Sequence, residues 1–477
     1  MDSLKFIRHI PLIISTIFKY FTRGPPQPSW NLKLYLSLEL TRSLFKSYSG
    51  TIEELQNYVL IRNESIPSHI KIDKIFISHE YRINAQAYIE RLVKPYEVAI
   101  DPIWKSPRNN GINGEFIMNK DWNFNNEEGS WEKEKIVIFL HGGGYCCGNI
   151  DSSREILCEI SKLSGARILA IEYRLAPQQP FPAALCDALA AYLYLKNPPN
   201  DARFKPYKPE QIVLLGSSAG GGLSLSLGLA LRDLGLSLPA GIALWSPWVD
   251  QTHSMPSYSD QMLNEIDYVP LKTGNLFANG PSIAFDEFKQ RAETITRKIQ
   301  QSEIKLIGDE SLKRIGQPIN FYVVNEGLAI PYVSPVLAES LGGLPPMLIV
   351  TGNVERYRDE AIYLSYRASN PEKYRLPAYE TNFDNSRFKF PTEVTLEVFD
   401  EMFHVFQAFK YCEPANVSIR RTSNFISRIT QESVLANPLP HRFSTLKISY
   451  DGEVRPLSES SINHILRWDQ VGVYPDV

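Results

Sequence analysis

Two short stretches of this chain carry residue types that can do chemistry. Gly216-Ser217-Ser218-Ala219-Gly220 fits the pattern G-x-S-x-G, which occurs once. It follows the apolar, β-prone run Ile212–Leu215 and opens a stretch of helical composition, Ser218–Leu234. A serine at such a strand-to-helix turn sits on a tight, strained backbone with its hydroxyl exposed, and flanking Gly216 and Gly220 permit close main-chain approach. The bland alternative is a Gly/Ser turn in which Ser218 merely caps a helix. The second stretch, His141-Gly142-Gly143-Gly144, directly follows the run Ile136–Leu140. Backbone N–H groups of a glycine run can point into a site with no Cβ in the way. Joined by the N–H of Ala219, they suit the oxyanion of a tetrahedral intermediate. A phosphate nest is the competing use of such a run, but neither G-x-x-x-x-G-K-[ST] nor G-x-G-x-x-G accompanies it. The chemistry indicated is acyl transfer through an activated serine.

The elements around these motifs alternate. Ile136–Leu140 is a continuous apolar run of the kind buried on both faces, and Ala166–Tyr173, Ile212–Leu215, Ile242–Trp245, Met347–Val350 and Val394–Phe399 read as further strands. Helical stretches lie between them at Asp151–Leu163, Phe181–Leu195, Ser218–Leu234 and Asp359–Ala368. Alternation of this kind predicts an α/β fold, a mainly parallel sheet with helices on both faces. Earlier in the chain, Asn31–Phe45 reads as a helix, Ile70–Ser78 and Tyr88–Trp104 as leading strands, and Pro107–Gly129 as an irregular surface loop. The stretches 250–331 and 370–392 break the alternation and read as insertions, the first long enough to form a cap or lid. The expected organisation is an N-terminal segment 1–49, a body 50–430 and a C-terminal tail 431–477.

Composition narrows the classes further. Fifty Lys+Arg against 53 Asp+Glu give a net charge of −3 over 477 residues, which leaves no basic excess for a nucleic-acid partner. Five cysteines cannot supply a disulfide framework for a chain this long. No Cys/His spacing suggests a metal, Cys146 and Cys147 read as buried small residues, and no cofactor is expected. The N-terminus departs from the average. From Ser3 to Leu38 it has no acidic residue, while Ile7, Ile10, Ile13, Ile14, Ile17 and Phe21 recur at helical spacing. Its uncharged run Ile10–Phe18 is too short to span a bilayer, which takes about 20 residues, and Pro11 interrupts the pattern. Residues 1–23 are read either as an interfacial helix on a membrane or as a cap over the body.

Taken together, the blocks resemble the hormone-sensitive-lipase-like branch of the α/β-hydrolases. His141–Gly144, Gly216–Gly221, Tyr173–Gln178 with Phe181–Ala184, Ser246–Asp250 and Tyr332–Pro335 are similar to that family's blocks, over roughly Lys135–Phe425. Two departures stand out: Ser217 replaces the family's Asp beside the nucleophile, and Gln178 replaces its Glu. The resemblance implies carboxylester hydrolysis and an oxyanion hole at Gly142, Gly143, Gly144 and Ala219, with His141 supporting that loop. His404, after the run Val394–Phe399, falls in what looks like the family's G-M-x-H-x-F loop, with Glu401 where Gly is common. The family's acid position falls on Glu355, a Glu in place of Asp, and Asp359 is its rival. The chain order Ser218, Glu355, His404 is the one this fold uses. A receptor on the same fold, binding a small molecule without turnover, is the second reading. The layout also resembles fungal steryl acetyl hydrolases. That implies a hydrophobic ester with a short acyl group, such as an acetylated sterol, met at the endoplasmic reticulum membrane; a cytoplasmic enzyme is the alternative.

Overall fold

Alternate residues of the central strands go to opposite sides. Ile136, Ile138 and Leu140 join one apolar cluster, while Val137 and Phe139 join another, and Ile212/Leu214 and Val213/Leu215 divide the same way. Two-sided burial is why these runs are continuously apolar rather than alternating. The computed structural model describes residues 9–47, 50–57, 66–107, 109–120, 133–271, 282–301, 318–376, 388–431, 442–458 and 471–472.

Three helices lead: α1 (Ile10–Arg23), α2 (Leu32–Ser47) and α3 (Ile52–Asn57). Then come β1 (Ile70–Ser78), α4 (His79–Val93), β2 (Gly111–Asn119), β3 (Ile136–Leu140), α5 (Arg154–Ser164), β4 (Arg167–Ile171) and α6 (Ala183–Lys196). Ser218 lies between the next two elements, β5 (Ile212–Ser217) and α7 (Ala219–Asp233), which β6 (Gly241–Trp245) follows. The next elements are α8 (Pro256–Ser259), α9 (Ile283–Gln300), β7 (Met347–Gly352), α10 (Arg358–Ser369) and β8 (Val394–Phe399). Helix α11 (Glu413–Ile429) and strands β9 (Phe443–Ile448) and β10 (Val454–Pro456) follow. One ten-stranded sheet runs β1-β2-β4-β3-β5-β6-β7-β8-β9-β10. It is parallel from β4 to β9, and antiparallel where β1, β2 and β10 join.

Several expectations need correction. Tyr88–Trp104 is not a strand: it holds the end of α4 and two 3₁₀ turns. Its apolar residues serve a helix face that buries Ala85, Ile89 and Val93, while Arg82 of the same helix donates to Asp187 on α6 at 2.8 Å. The Asn- and Gly-rich stretch 107–129 contains β2, an interior strand between β1 and β4. There the glycines let strands approach, and a Cβ at Gly114 would lie 2.8 Å from the Ala170 carbonyl oxygen. The insertion 250–331 is only partly a cap, because Ile319 and Phe321–Val324 are buried in the main core. Part of the insertion, residues 272–281 with Leu276 and Phe277, lies outside the described residues, as do residues 377–387 of the second one.

Nor is the C-terminal stretch a separate tail. β9 pairs in parallel with β8 along its whole length, and the Asp400 N–H donates to the Ile448 carbonyl at 2.8 Å. Removing β9 would open an edge of buried, β-prone residues beside the loop that carries His404. A chain cut after residue 441 should therefore aggregate and melt earlier than the full chain. Light scattering and thermal melting check this, and an unchanged melting temperature would contradict the placement of β9.

Candidate active site

Ser218 stands between β5 and α7 with φ +55° and ψ −123°, a conformation that L-residues rarely hold. Its neighbours close the turn: the Ser218 N–H donates to the Trp245 carbonyl at 2.9 Å, and its own carbonyl accepts from Gly222 and Trp248 N–H groups. Gly216 ends the strand side. On the helix side, a Cβ at Gly220 would meet the Leu140 carbonyl oxygen at 2.0 Å. Glycine at that position is what lets the Ser218 turn lie directly against the end of β3.

That contact sets the glycine loop beside the serine. Gly143 has φ +114°, and a Cβ there would fall 2.1 Å from the Cys147 carbonyl oxygen. The Gly143 carbonyl accepts from the Cys146 and Cys147 N–H groups, which folds the loop back on itself. Among the described residues, no acceptor takes the N–H of Gly143 or Gly144. Ala219 is the first residue of α7, so its N–H lacks an intrahelical acceptor. His141 is buried under this loop, its Nδ1 2.7 Å from the Gly142 carbonyl and its ring stacked 4.1 Å from Tyr173. Burial pushes its pKa down to about 4, so the imidazole is a neutral strut.

Gln178 is tied to the cap rather than left unmatched. Gln56 of α3 and Gln178 exchange amide hydrogen bonds at 2.9 and 2.8 Å, and Gln56 also donates to the Cys146 and Ala176 carbonyls. The departure from Glu is thus met by a neutral partner that staples α3 to the glycine loop. Cys146 and Cys147 are buried free thiols. Among the described residues, no group of His, Cys, Asp and Glu is arranged to hold a metal ion.

His404, on the loop after β8, points Nε2 at Ser218 Oγ at 2.9 Å. It is buried beneath Tyr357 and Tyr268, whose rings meet it edge-on at 4.9 and 5.7 Å. Burial pushes its pKa down to about 3, so the resting ring is neutral and Nε2 can accept the serine proton. The loop is strained at Glu401 (φ +62°) and Val405 (φ +45°). Positive φ explains why glycine suits position 401. Here Glu401 is held in that conformation by bonds made at both its ends. Its carboxylate accepts from Ser29 N (2.8 Å) and Ser29 Oγ (3.0 Å), its carbonyl from Trp30 Nε1 (2.8 Å), and its N–H donates to Asn353 Oδ1 (2.7 Å).

Glu355 is fully buried after β7, but it does not bond His404 directly. Its oxygens accept from Ser246 Oγ and Thr351 Oγ1, both at 2.7 Å, and Ser246 Oγ in turn accepts from the Val405 N–H at 2.9 Å. The expected Glu355–imidazole bond is absent: the Ser246 hydroxyl links Glu355 to the main chain of Val405, and His404 Nδ1 has no partner among the described residues. A glutamate side chain, one methylene longer than aspartate, folds onto the two hydroxyls. Burial, then the neighbouring Asp267, push the Glu355 carboxyl up to about 8. Asp359 faces elsewhere, accepting from the Ser257 N–H at 2.8 Å and from Arg358 Nε at 2.7 Å. Sequence reasoning missed Asp267, whose carboxylate accepts the His404 main-chain N–H at 3.2 Å. No motif marks it.

The arrangement has the parts of a serine acyl-transfer site: hydroxyl, neutral imidazole and a glycine loop with free N–H groups. Residues 137–279 match the family described as alpha/beta hydrolase fold. An acetyl-hydrolase of Streptomyces hygroscopicus is 29% identical over 271 residues, which is 57% of this chain and 68% of that protein. A carboxylesterase of Mycobacterium tuberculosis is 30% identical over 125 residues, 26% of this chain and 38% of that protein. The crystal structure of a mutant of the esterase E40 matches with a TM-score of 0.54 at 22% identity, covering 83% of this chain and 97% of that one, and shows the shared fold. The chain has the α/β-hydrolase fold, and it is a carboxylic ester hydrolase.

Proposed function

We propose that Ser218 is the nucleophile, His404 its general base and Glu355 the acid behind it, acting on a hydrophobic ester with a short acyl group. The substrate is an acetylated sterol or a related lipid reached at a membrane surface. The 2.9 Å approach of His404 Nε2 to Ser218 Oγ beside the glycine loop carries this reading. As Ser218 Oγ attacks the ester carbonyl, its proton passes to His404 Nε2. The new oxyanion lies against the N–H groups of Gly143, Gly144 and Ala219, with Gly142 shaping the turn. Removing one such donor costs about 2.7–4 kcal/mol. The imidazolium then protonates the departing alkoxide, and the alcohol leaves. Water, deprotonated by the same imidazole, attacks the acyl-enzyme and releases the acid. A carboxylate near the imidazole stabilises the charge that forms on it without taking the proton.

The short acyl group is supported by the acetyl-hydrolase named among the relatives. The membrane half rests on α1. Its Leu12, Ile13, Ile17 and Tyr20 are half-buried, while Ile10, Ile14, Phe18 and Phe21 form an outward stripe flanked by exposed Lys19 and Arg23. An apolar stripe with basic flanks suits an anionic lipid face, and we assign it to the endoplasmic reticulum membrane. No helix among the described residues is long and apolar enough to cross a bilayer.

Ser218→Ala should leave the melting temperature unchanged and lower ester hydrolysis by at least about a thousandfold. Activity within tenfold of the parent would remove Ser218 from the chemistry. A serine that fluorophosphonate fails to label, in a protein that binds esters without turnover, would favour the receptor instead. Above about pH 8, where Glu355 is ionised, Glu355→Gln should reduce kcat far more than Asp359→Asn, since Asp359 is committed to Ser257 and Arg358; the reverse ranking there would move the acid to Asp359.

Replacing Ile14, Phe18 and Phe21 together by Ser should release the protein from vesicles containing anionic phospholipid. Turnover of short water-soluble esters should persist in that variant, and hydrolysis of vesicle-borne steryl acetate should fall. Equal vesicle binding by both forms would discard the membrane contact. Vesicle binding without steryl acetate hydrolysis by the parent would discard the substrate.

A further inference from the structure

A carboxylate outside every motif stands next to the proposed base. Asp267, in the loop between α8 and α9, is 1% exposed. Its Oδ1 accepts from the main-chain N–H groups of Tyr268 (2.8 Å) and His404 (3.2 Å), and its Oδ2 from that of Arg356 (2.9 Å). The donors belong to three segments: its own loop, the turn after β7 and the turn after β8. The Arg356 guanidinium is used elsewhere. It donates to the carbonyls of Tyr258, Asp260 and Val269 and to Asn264 Oδ1, so it fixes the loop on which Asp267 stands. Arg42 of α2 holds the same loop through the Asn264 carbonyl.

We propose that Asp267 is a positioning residue for His404: a buried anionic latch that ties the main chain of the base to the segment carrying Glu355, and that forms a like-charge pair with Glu355 behind the imidazole. The proposal rests on Ser218 and His404 being nucleophile and base. Asp267 holds the His404 N–H and Glu355, through the Ser246 hydroxyl, the adjacent Val405 N–H, and two buried carboxyl groups so placed do not ionise independently. Asp267 takes the charge first, because three main-chain N–H groups face it, whereas Glu355 is met chiefly by two hydroxyls. The pKa directions agree. Burial raises Asp267 only to about 6 against its N–H donors, and burial together with Asp267 raises Glu355 to about 8. The other charged or titratable groups around the pair are Arg356, Arg42, Tyr268, Tyr357, Glu360 and His404 itself. Burial drives both phenols well above their usual range, so they stay neutral. Near neutral pH, Asp267 therefore supplies the negative charge that a forming imidazolium meets, and Glu355 adds its own as pH rises.

The test is the pH dependence of Ser218 labelling by a fluorophosphonate, in the parent, Asp267→Asn and Asp267→Glu. The parent rate should rise with pH through a limb near 8, where Glu355 ionises. Asp267→Asn removes the like charge, so Glu355 ionises more readily. The limb should then move to lower pH by on the order of one unit, with a lower plateau. Asp267→Glu keeps the charge and should keep the limb while slowing the reaction. A parent protein left unlabelled at Ser218 refutes the nucleophile itself. Labelling whose limb Asp267→Asn leaves in place refutes the latch alone. Should Asp267→Asn fail to fold, the parent still decides. A protonated-carboxyl infrared band near neutral pH, lost in Glu355→Gln, is expected, and its absence overturns the pairing.

Discussion

A serine held at positive φ is the constraint around which the rest of this structure is arranged. Such a residue costs on the order of 1–3 kcal/mol and persists only where its surroundings over-determine it. Here the surroundings are the ends of β3, β5 and β6. The main chain of Trp245 and Trp248 grips Ser218, and the carbonyls of Leu140 and His141 press on the helix that follows. The glycine loop therefore stands beside Ser218 because the same close packing that strains the serine also fixes the end of β3. Rigid parallel strands, rather than flexible loops, set the distances on which the chemistry depends.

His404 reaches its place differently. Its loop follows β8, and it is secured by groups scattered through the chain: Ser246 through the Val405 N–H, Asp267 through the His404 N–H, and Asn353 through the Glu401 N–H. Each is a single hydrogen bond, and each is buried or half-buried, where an unpaired group is costly. Glu355 belongs to this scaffold too, since its two hydroxyl partners, Ser246 and Thr351, stand at the end of β6 and in β7. The longer acid is accommodated by placing a serine hydroxyl between it and the loop it steadies.

What could be read in the sequence follows from where burial is two-sided. β3 to β8 were legible because both faces are covered and most of their residues are apolar. The serine and glycine motifs were legible because their backbone demands admit few residue types. β2 was hidden, since a strand that needs glycine for close approach has the composition of a loop. α4 was misread because buried Arg82 and exposed Ile83 blur its apolar stripe. β9 carries polar residues at a sheet margin, and nothing in its composition distinguishes it from surface chain. Asp267 was invisible for another reason. Its partners are main-chain N–H groups, which every residue has, so no side-chain pattern announces them.

The contact between Glu401 and residues 29–30 bears on how this chain can be taken apart. A residue that favours glycine has been replaced by one whose side chain and carbonyl are both claimed by the N-terminal segment. Ser29, Trp30 and Glu401 thus form one unit of inheritance, though 371 positions separate the last two in sequence. Exchanging N-terminal segments between homologous enzymes would carry over half of that unit and strand the other half. A chimera would inherit a strained loop with no brace, or a brace with nothing to hold. The segment is not a detachable module, because it braces the loop that carries the histidine.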